Sequence, residues 1–469
     1  MKVEQIYTKC LAQGSYYIES NGEAVVIDPL RDVDEYLNLA QQNNSKIKYV
    51  IETHFHADFI SGHLTLANIT GADIVYGPNA DPEYDAIIAE DNQVFTFGSA
   101  SLTTIHTPGH TLESTSFLLK DEEGNEHSIF TGDTLFLGDV GIPDVAQRYK
   151  GVSKEELAGT LYDSVNNKIK NLPEDILVYP AHGAGSACGK NMMKETVDTL
   201  KNQKKINYAI NGSYSREEFI KKLTDNLPEP PAYFPFNVKL NQQGYEDLSD
   251  IIKKSKNPLS VSEFELMAKE KEIKVIDVRH QDSFAKGHIP NSIFIGLDGG
   301  FAPWVGAVLS DINQALLLVV DEDRVDEAIT RLSRVGFDNV KGYLKGGFSS
   351  WEDSGKEIGV VDTISADDFQ KTYDSKKINV FDVRKLTEYQ SEHIINAKNI
   401  PLNDINDFIS DFDVSGENFI HCAGGYRSMI ANSILKSHGI HNLVDILGGY
   451  SQIKKTDISR SDYICPSTL

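Results

Sequence analysis

The sequence predicts an α/β protein of several domains, and three observations carry that prediction. The chain has 469 residues, which at roughly 100–200 residues per domain corresponds to about three domains. Its first 120 residues alternate short β-rich runs with turns, as in layered α/β domains. Its second half contains two related stretches that are separated by a constant offset.

Composition excludes several classes of protein. Lys plus Arg total 45 and Asp plus Glu total 69, so the formal net charge is −24. This acidity argues against a nucleic-acid binder and against a surface that docks on anionic lipid. The sequence has no signal-peptide pattern at its start, no spanning apolar run and only four cysteines. We therefore expect a cytoplasmic protein without nucleic-acid or membrane partners.

The first half contains recognisable local elements. Val25 to Ile27, beside Asp28-Pro29, indicate a buried strand, and SFLLKDEEGNEHSIF predicts a hairpin that turns at Glu123 to Asn125. Residues 37–43 and 62–71 have helical character. The proline-rich residues 227–235 exclude regular helix, and residues 253–260 predict a linker.

The second half is an internal repeat. Asp277-Val278-Arg279 and Asp382-Val383-Arg384 differ in position by 382 − 277 = 105 residues, and His288 and His393 keep the same offset. This period is too long for a solenoid and fits two tandem copies of one small α/β domain. The sequence therefore predicts domains over residues 1–255, 256–358 and 359–469.

A histidine cluster marks the first domain. Thr53-His54-Phe55-His56-Ala57-Asp58 directly follows the strand KIKYVIE, so three donor side chains leave one loop. Three later turn-rich segments each add one donor after a strand-like run: His110, Asp133 and His182. Ordinary loop histidines are the structural alternative, and four such segments disfavour it. Converging His and Asp side chains predict a metal site.

These residues resemble the metallo-β-lactamase fold superfamily, which implies an αββα sandwich. The family pattern T-H-x-H-x-D-H has a further His where this sequence has Phe59. In the binuclear hydrolases of the family that His helps to hold the second metal. Because Phe has no donor atom, a dinuclear zinc hydrolase is disfavoured.

The segments THFHADFISGH, TPGHTLESTSFLL, TGDTLFLGDVG and YPAHGAGSACGK resemble the persulfide dioxygenases within that superfamily. The resemblance implies one Fe(2+) per domain, held by His54, His110 and Asp133, with positions left for O2 and a substrate sulfur. His56, Asp58 and His182 would then be pocket groups that orient ligands and move protons. A Zn(2+) hydrolase would instead use His54, His56 and His110, and both ligand sets stay open. Ile142 stands where related enzymes often have Arg, so an anion contact there is not expected.

A cysteine loop marks the last domain. Cys422 ends a strand-like run, and a helical run begins soon after it. Converging backbone N–H groups and a helix N-terminus stabilise a thiolate or an anionic persulfide. Arg427 adds a candidate bidentate anion contact. The loop that cradles the sulfur is read as Ala423, Gly424, Gly425, Tyr426, Arg427 and Ser428.

The two copies resemble rhodanese domains. The Cys-x4-Arg loop is one residue shorter than the Cys-x5-Arg loop of tyrosine phosphatases, which favours sulfur transfer over dephosphorylation. The first copy has no cysteine, and Asp321 to Arg324 fill the corresponding stretch. We therefore expect it to be a catalytically inactive spacer or docking domain. The Asp-Val-Arg elements and the repeated histidines, His288 and His393, are kept in both copies and are interpreted as structural ion pairs.

The other cysteines are less informative. Cys188 follows His182 by six residues and is interpreted as a buried small side chain, with a place in the metal pocket as the alternative. Cys10 and Cys465 have no motif context.

Together these resemblances imply a persulfide dioxygenase–rhodanese fusion of sulfide detoxification. Its partners would be a low-molecular-weight thiol persulfide, O2 and sulfite or thiosulfate, with Cys422 as the sulfurtransferase nucleophile. A glyoxalase II-like thioester hydrolase with a regulatory rhodanese pair is the alternative, and a non-enzymatic sulfide-responsive scaffold is the third hypothesis. The proline-rich segment and the first copy are candidate docking surfaces for a homo-oligomer.

Overall fold

The computed structural model describes residues 1–144, 148–149, 151–227, 229–375, 378–412 and 415–465. Contacts within the chain divide it into two compact units. The first consists of Met1–Ile251, Ser310–Ile312 and Thr330–Phe337, and the second of Ile252–Leu309, Asn313–Ile329 and Asp338–Leu469. No helix in the described ranges combines the length and the apolar character needed to cross a membrane.

The first unit contains two six-stranded mixed sheets. In spatial order the first sheet runs β1 (Lys2–Thr8), β2 (Gln13–Ser20), β3 (Glu23–Ile27), β4 (Lys46–Ile51), β5 (Asp73–Tyr76) and β6 (Ile87–Ile88). The strands of the second sheet are β7 (Val94–Phe97), β8 (Ala100–His106), β9 (Thr115–Lys120), β10 (Glu126–Gly132), β11 (Leu177–Pro180) and β12 (Asp198–Thr199). Their spatial order is β12-β11-β10-β9-β8-β7.

Apolar side chains pack between the two sheets and between each sheet and its helices. Val25 of the first sheet and Phe117 of the second belong to one buried cluster between the sheets. A second cluster joins Leu161 and Phe219 to the outer face of the second sheet, and a third joins Tyr36 to the first sheet. The helices are α1 (Asp34–Gln42), α2 (His63–Thr70), α3 (Lys154–Asn167), α4 (Leu200–Ile206), α5 (Arg216–Thr224), α6 (Phe234–Gln243) and α7 (Leu248–Ser255), with a short 3-10 helix at Ile169–Asn171. The αββα sandwich expected from the sequence is therefore present.

The second unit contains two five-stranded parallel sheets with one topology. The first copy has strands β13 (Pro258–Leu259), β14 (Ile273–Asp277), β15 (Ile293–Phe294), β16 (Ala315–Val319) and β17 (Val340–Leu344), in the order β13-β17-β16-β14-β15. The second has β18 (Asp362–Ile364), β19 (Asn379–Asp382), β20 (Lys398–Asn399), β21 (Asn418–His421) and β22 (Leu443–Ile446), in the order β18-β22-β21-β19-β20. Because each strand takes the same place in both orders, the predicted repeat of one α/β domain is confirmed.

Helices connect these strands in both copies. In the first they are α8 (Val261–Ala268), α9 (Gln281–Lys286), α10 (Phe301–Val308), α11 (Val325–Ser333) and α12 (Gly347–Asp353), with a 3-10 helix at Glu322–Arg324. In the second they are α13 (Ala366–Ser375), α14 (Leu386–Ser391), α15 (Tyr426–Ser437) and α16 (Gly449–Ile453), with a 3-10 helix at Leu402–Phe412.

Two local predictions need correction, while the hairpin is as expected. Strands β9 and β10 pair antiparallel around Gly124, whose φ of +85° suits a tight turn. The predicted linker at 253–260 is instead the end of α7 followed by β13, because Ile251 is buried and draws the helix onto the core. Helix α6 starts inside the proline-rich segment, where Pro235 lies in the first turn and needs no N–H partner.

Candidate functional site

Three buried side chains meet where strands of the first unit end. His54 follows β4, His110 lies between β8 and β9, and Asp133 directly follows β10. One ligand atom of each lies within 4.8 Å of the others. His110 Nε2 lies 3.4 Å and His54 Nε2 lies 3.8 Å from Asp133 Oδ2. Two imidazoles and a carboxylate therefore converge on one point.

Hydrogen bonds aim both imidazoles at that point. His54 Nδ1 lies 3.0 Å from Thr53 Oγ1, and His110 Nδ1 lies 2.6 Å from the Ile142 carbonyl oxygen, so Nε2 of each ring faces the group. Among the described residues, Asp133 Oδ2 is buried without a hydrogen-bond partner. A buried carboxylate oxygen is costly unless a donor or a cation satisfies it. The three residues thus fit a metal ion.

The protonation states suit metal binding. Burial and the charge of His56 hold the pKa of His54 well below its usual range, which keeps the ring neutral. Burial opposes ionisation of Asp133, but the charge of His182 and its hydrogen bond to Asp133 outweigh burial and hold the Asp133 pKa below its ordinary value. Neutral imidazole and ionised carboxylate are the forms that coordinate metals.

A second group adjoins the first through His182. His182 Nδ1 lies 2.8 Å from Asp133 Oδ1, and His182 Nε2 lies 2.9 Å from Asp58 Oδ2. Cys188 completes this group, with its sulfur within 4.8 Å of the other two ligand atoms. Burial, together with Asp58 and Asp133, raises the pKa of the Cys188 thiol. Cys188 therefore lies beside Asp58 and His182 as a neutral thiol.

His56 is turned toward two carboxylates that sequence reasoning missed. Its Nε2 lies 3.2 Å from Asp28 Oδ1 and 3.3 Å from Glu52 Oε2. Although burial alone would lower it, these carboxylates raise the pKa of His56 to about 10. Among the described residues, three groups of His, Cys, Asp or Glu side chains have ligand atoms close enough to hold a metal ion together. None of these groups combines His54, His56 and His110.

Asp28 braces the metal loop. Its Oδ1 accepts a hydrogen bond from the Thr53 backbone N–H at 2.8 Å, and its Oδ2 accepts one from Thr53 Oγ1 at 2.9 Å. Thr53 in turn holds His54. In the sequence, Asp28-Pro29 marks only the end of β3 and does not indicate Thr53 as the partner of Asp28. Phe59 is fully buried with its ring 4.4 Å from that of His56, so a phenyl group occupies the place of the absent histidine.

The cysteine loop lies in the second unit between β21 and α15. Cys422 directly follows β21, and its Sγ accepts a hydrogen bond from the Gly425 N–H at 3.1 Å. Gly425 has φ +101°, a conformation that favours glycine. Ser428 Oγ donates to the Gly425 carbonyl at 3.1 Å. A backbone donor thus stabilises negative charge on the sulfur.

Arg427 has a partner that the sequence did not indicate. Its Nη1 lies 2.6 Å from Glu388 Oε2, and its Nη2 lies 2.8 Å from Glu388 Oε1. The guanidinium that was expected to contact an anion is therefore engaged by a carboxylate of the same chain.

The first copy has the same strand order as the second but a different loop at the position of the cysteine loop. The Val278 N–H donates to the Val319 carbonyl oxygen, and the Val383 N–H donates in the same way to the His421 carbonyl oxygen. The next residue in each copy is therefore equivalent, so Val320 takes the position of Cys422. A cavity of about 460 Å³ lies there, lined by three carboxylates, Asp298, Asp321 and Glu322, and by two arginines, Arg279 and Arg324. The inactivity expected of this copy stays a prediction.

Both copies form the predicted Asp–Arg ion pair, but the prediction was wrong for the repeated histidines. His288 Nδ1 and His393 Nδ1 lie 3.0 and 2.8 Å from backbone carbonyl oxygens of their own copies. Arg279 Nη2 lies 2.6 Å from Asp277 Oδ2, and Arg384 Nη2 lies 2.6 Å from Asp382 Oδ2. Each guanidinium also lies over an aromatic ring, at 4.1 Å in the first copy and 3.9 Å in the second.

Comparisons with known proteins match three stretches of the chain to two families. A model of the metallo-beta-lactamase superfamily matches residues 9–182, and a model of the rhodanese-like domain matches residues 260–354 and 365–456. The human mitochondrial persulfide dioxygenase ETHE1 is 35% identical over 212 residues, which cover 44% of this chain and 74% of that protein.

Two further matches extend this result. A cytoplasmic hydroxyacylglutathione hydrolase of Arabidopsis thaliana is 30% identical over 38% of this chain and 66% of its own length. The crystal structure of a metallo-beta-lactamase from Staphylococcus aureus is 32% identical, with a TM-score of 0.64 over 74% of this chain and 98% of that chain.

Proposed function

Because the chain belongs to the metallo-beta-lactamase superfamily, with persulfide dioxygenase homologues matching its N-terminal part and two tandem rhodanese-like domains behind it, we propose that it is a two-site enzyme of persulfide metabolism. The first site oxidises a low-molecular-weight persulfide with O2, and the second transfers sulfane sulfur. The observation that carries the first activity is the group of His54, His110 and Asp133 beside Phe59.

His54, His110 and Asp133 would hold one Fe(2+) in the first site. When bound, that ion supplies open coordination positions and redox chemistry for O2 and the persulfide. Persulfide R–S–SH, O2 and one water give the thiol R–SH, sulfite and two protons. His182, which lies between Asp133 and Asp58, is placed to hold one of these protons. Thr53 and Ile142 keep the two ligand rings in their tautomers.

Cys422 is the nucleophile of the second site. Its thiolate takes the outer sulfur from R–S–SH, forming Cys422–S–SH and releasing R–S⁻. Once deprotonated, the enzyme persulfide passes that sulfur to sulfite, which regenerates the thiolate and gives thiosulfate. The Gly425 N–H, directed at the sulfur, stabilises both anionic forms. The reverse direction uses the same loop.

We propose the domain boundaries 1–255, 256–358 and 359–469 for these functions, with the middle domain inactive. The presence of Val320 at the position of Cys422 supports the inactivity of the middle domain.

Iron content measured together with O2 uptake tests the first activity. We expect stoichiometric iron and O2 uptake on glutathione persulfide or coenzyme A persulfide. His110→Ala should lose both, while His127→Ala, which changes a half-buried histidine of β10, should keep both. Sulfur transfer at Cys422 should survive in either variant.

The second candidate is a zinc thioester hydrolase, favoured by the 30% identity to a hydroxyacylglutathione hydrolase. Zinc with cleavage of a glutathione thioester and no O2 uptake would establish it and exclude the dioxygenase.

A further inference from the structure

The cysteine-bearing copy has an ion pair, formed by Glu388 and Arg427, beside its cysteine loop. Glu388 on α14 and Arg427 on α15 make two parallel hydrogen bonds, at 2.6 and 2.8 Å. Such bidentate pairs are strong and fix the guanidinium plane. Arg427 lies in the first turn of α15, and the N-cap residue of that helix, Gly425, donates its N–H to the Cys422 sulfur at 3.1 Å. The pair therefore lies within the electrostatic reach of the reacting sulfur.

The first copy shows that the fold does not require this pair. The 105-residue offset that aligns Asp277 with Asp382 places Ser283 opposite Glu388. Val320 takes the place of Cys422, so Val325, five residues on, takes the place of Arg427. The inactive copy nevertheless has the same strand order. The Glu388–Arg427 pair is therefore particular to the cysteine-bearing copy, whereas the loop of the first copy has Arg324 paired with Asp298 and Glu327.

Charge balance indicates what the pair does. Without Glu388, the Arg427 cation would add to the Gly425 N–H and to the N-terminus of α15, and the loop would attract dianions strongly. With Glu388 in place, the added charge is cancelled. Thiosulfate and sulfite carry two negative charges, whereas the reacting sulfur of a persulfide carries at most one.

We propose that Glu388 is a specificity-determining residue of the second site, which positions Arg427 and cancels its charge so that the loop selects a persulfide over the dianionic thiosulfate as sulfur donor. This inference rests on the proposed sulfurtransferase activity of Cys422.

The charge effect can be measured at Cys422 without turnover. The full-length protein is alkylated with neutral iodoacetamide and, separately, with anionic iodoacetate, and the Cys422 peptide is quantified by mass spectrometry. Taking the ratio of the two rates cancels any change in thiolate fraction. In Glu388→Gln we expect the iodoacetate-to-iodoacetamide ratio to rise about tenfold, because one negative charge is lost near the sulfur.

Two control variants show whether the change in the alkylation ratio comes from the charge of Glu388 or from the shape of its side chain. Asp368→Asn removes the same charge from an exposed site on α13 and should leave the ratio unchanged. Glu388→Asp keeps the charge and should keep the ratio close to that of the wild type. A ratio that is unchanged in Glu388→Gln, or that rises equally in Asp368→Asn, would overturn the proposal.

A kinetic readout links the charge to specificity. In Glu388→Gln, KM for thiosulfate should fall about tenfold relative to KM for glutathione persulfide. Equal changes in both KM values would reduce Glu388 to a structural role and contradict the proposal. If the wild type transfers no sulfur with either donor, the proposed function fails, while the alkylation ratio still tests Glu388.

Discussion

The two rhodanese-like copies share a frame and differ in one loop. Both order their five strands identically and both hold an Asp–Arg pair beneath the sheet edge. In the second copy a cysteine faces the Gly425 N–H, whereas the first has Val320 beside a cavity lined with carboxylates and two arginines. The comparison shows that the strand order and one Asp–Arg ion pair are common to both copies, while the loop after the fourth strand in sequence order differs between them.

Replacing the cysteine should give the largest effect. Cys422→Ser should reduce sulfur transfer by about a thousandfold or more, because the first copy has no thiol to substitute. O2 uptake with a pre-formed persulfide should persist, since the metal ligands are untouched. Thiosulfate formation and O2 consumption, followed in the same sample, check both statements. Loss of both activities in a folded variant would contradict the assignment of two separate sites.

Removing the aspartate of the shared ion pair tests whether that pair stabilises both copies equally. Asp277→Asn and Asp382→Asn each leave a mostly buried arginine without its charge partner, at a cost of about 3–5 kcal/mol. Native-state hydrogen exchange of β14 and β19 should report similar losses of opening free energy. A large loss in one copy alone would show that the pair has acquired a functional role there.

The second copy should also respond to pH through a residue that the first lacks. Burial, with Asp282 nearby, raises the pKa of Asp445 on β22 to about 7. Its folded pKa exceeds its unfolded pKa, so the stability it contributes is present at low pH and is lost as pH rises toward about 7. The total loss is up to about 4 kcal/mol.

Hydrogen exchange in α15 between pH 4 and pH 7.5 measures this effect, because Asn432 of that helix donates to Asp445 at 3.2 Å. Asp445→Asn should flatten the dependence. The strand pairing places Tyr343 at the equivalent position of the first copy, where no such decline is expected. A parallel decline in both copies would point to another group.

Grafting the nucleophile should give the smallest effect. Val320→Cys in a Cys422→Ser background restores the thiol, but Asp321 and Glu322 follow it where the active loop has Ala423 and Gly424. Carboxylates beside the sulfur raise a thiol pKa and repel anionic donors. We therefore expect no recovery of thiosulfate formation. Recovery would show that the loop sequence matters less than the frame.

Much of this organisation was predictable, because local patterns specify it. A constant offset revealed the two copies, and donor residues at strand ends revealed the metal loop. The role of Asp28, the orientation of His56 and the partner of Arg427 were not predictable. Each depends on side chains that are distant in sequence and meet only when strands or helices pack, as Glu388 and Arg427 do across 39 residues. The helix over residues 253–255 was missed for a related reason, since burial of its apolar face overrides local linker composition.

The Asp28–Thr53 brace has a consequence for how the first unit acquires its ion. Two hydrogen bonds from one carboxylate hold Thr53, and Thr53 holds His54, so a ligand ring is immobilised by the protein itself. A centre assembled in this way does not need to fold around its ion. Chelation should therefore yield an apoprotein with an unchanged circular dichroism spectrum that reloads without refolding, and the identity of the resident metal would follow cellular supply as much as affinity.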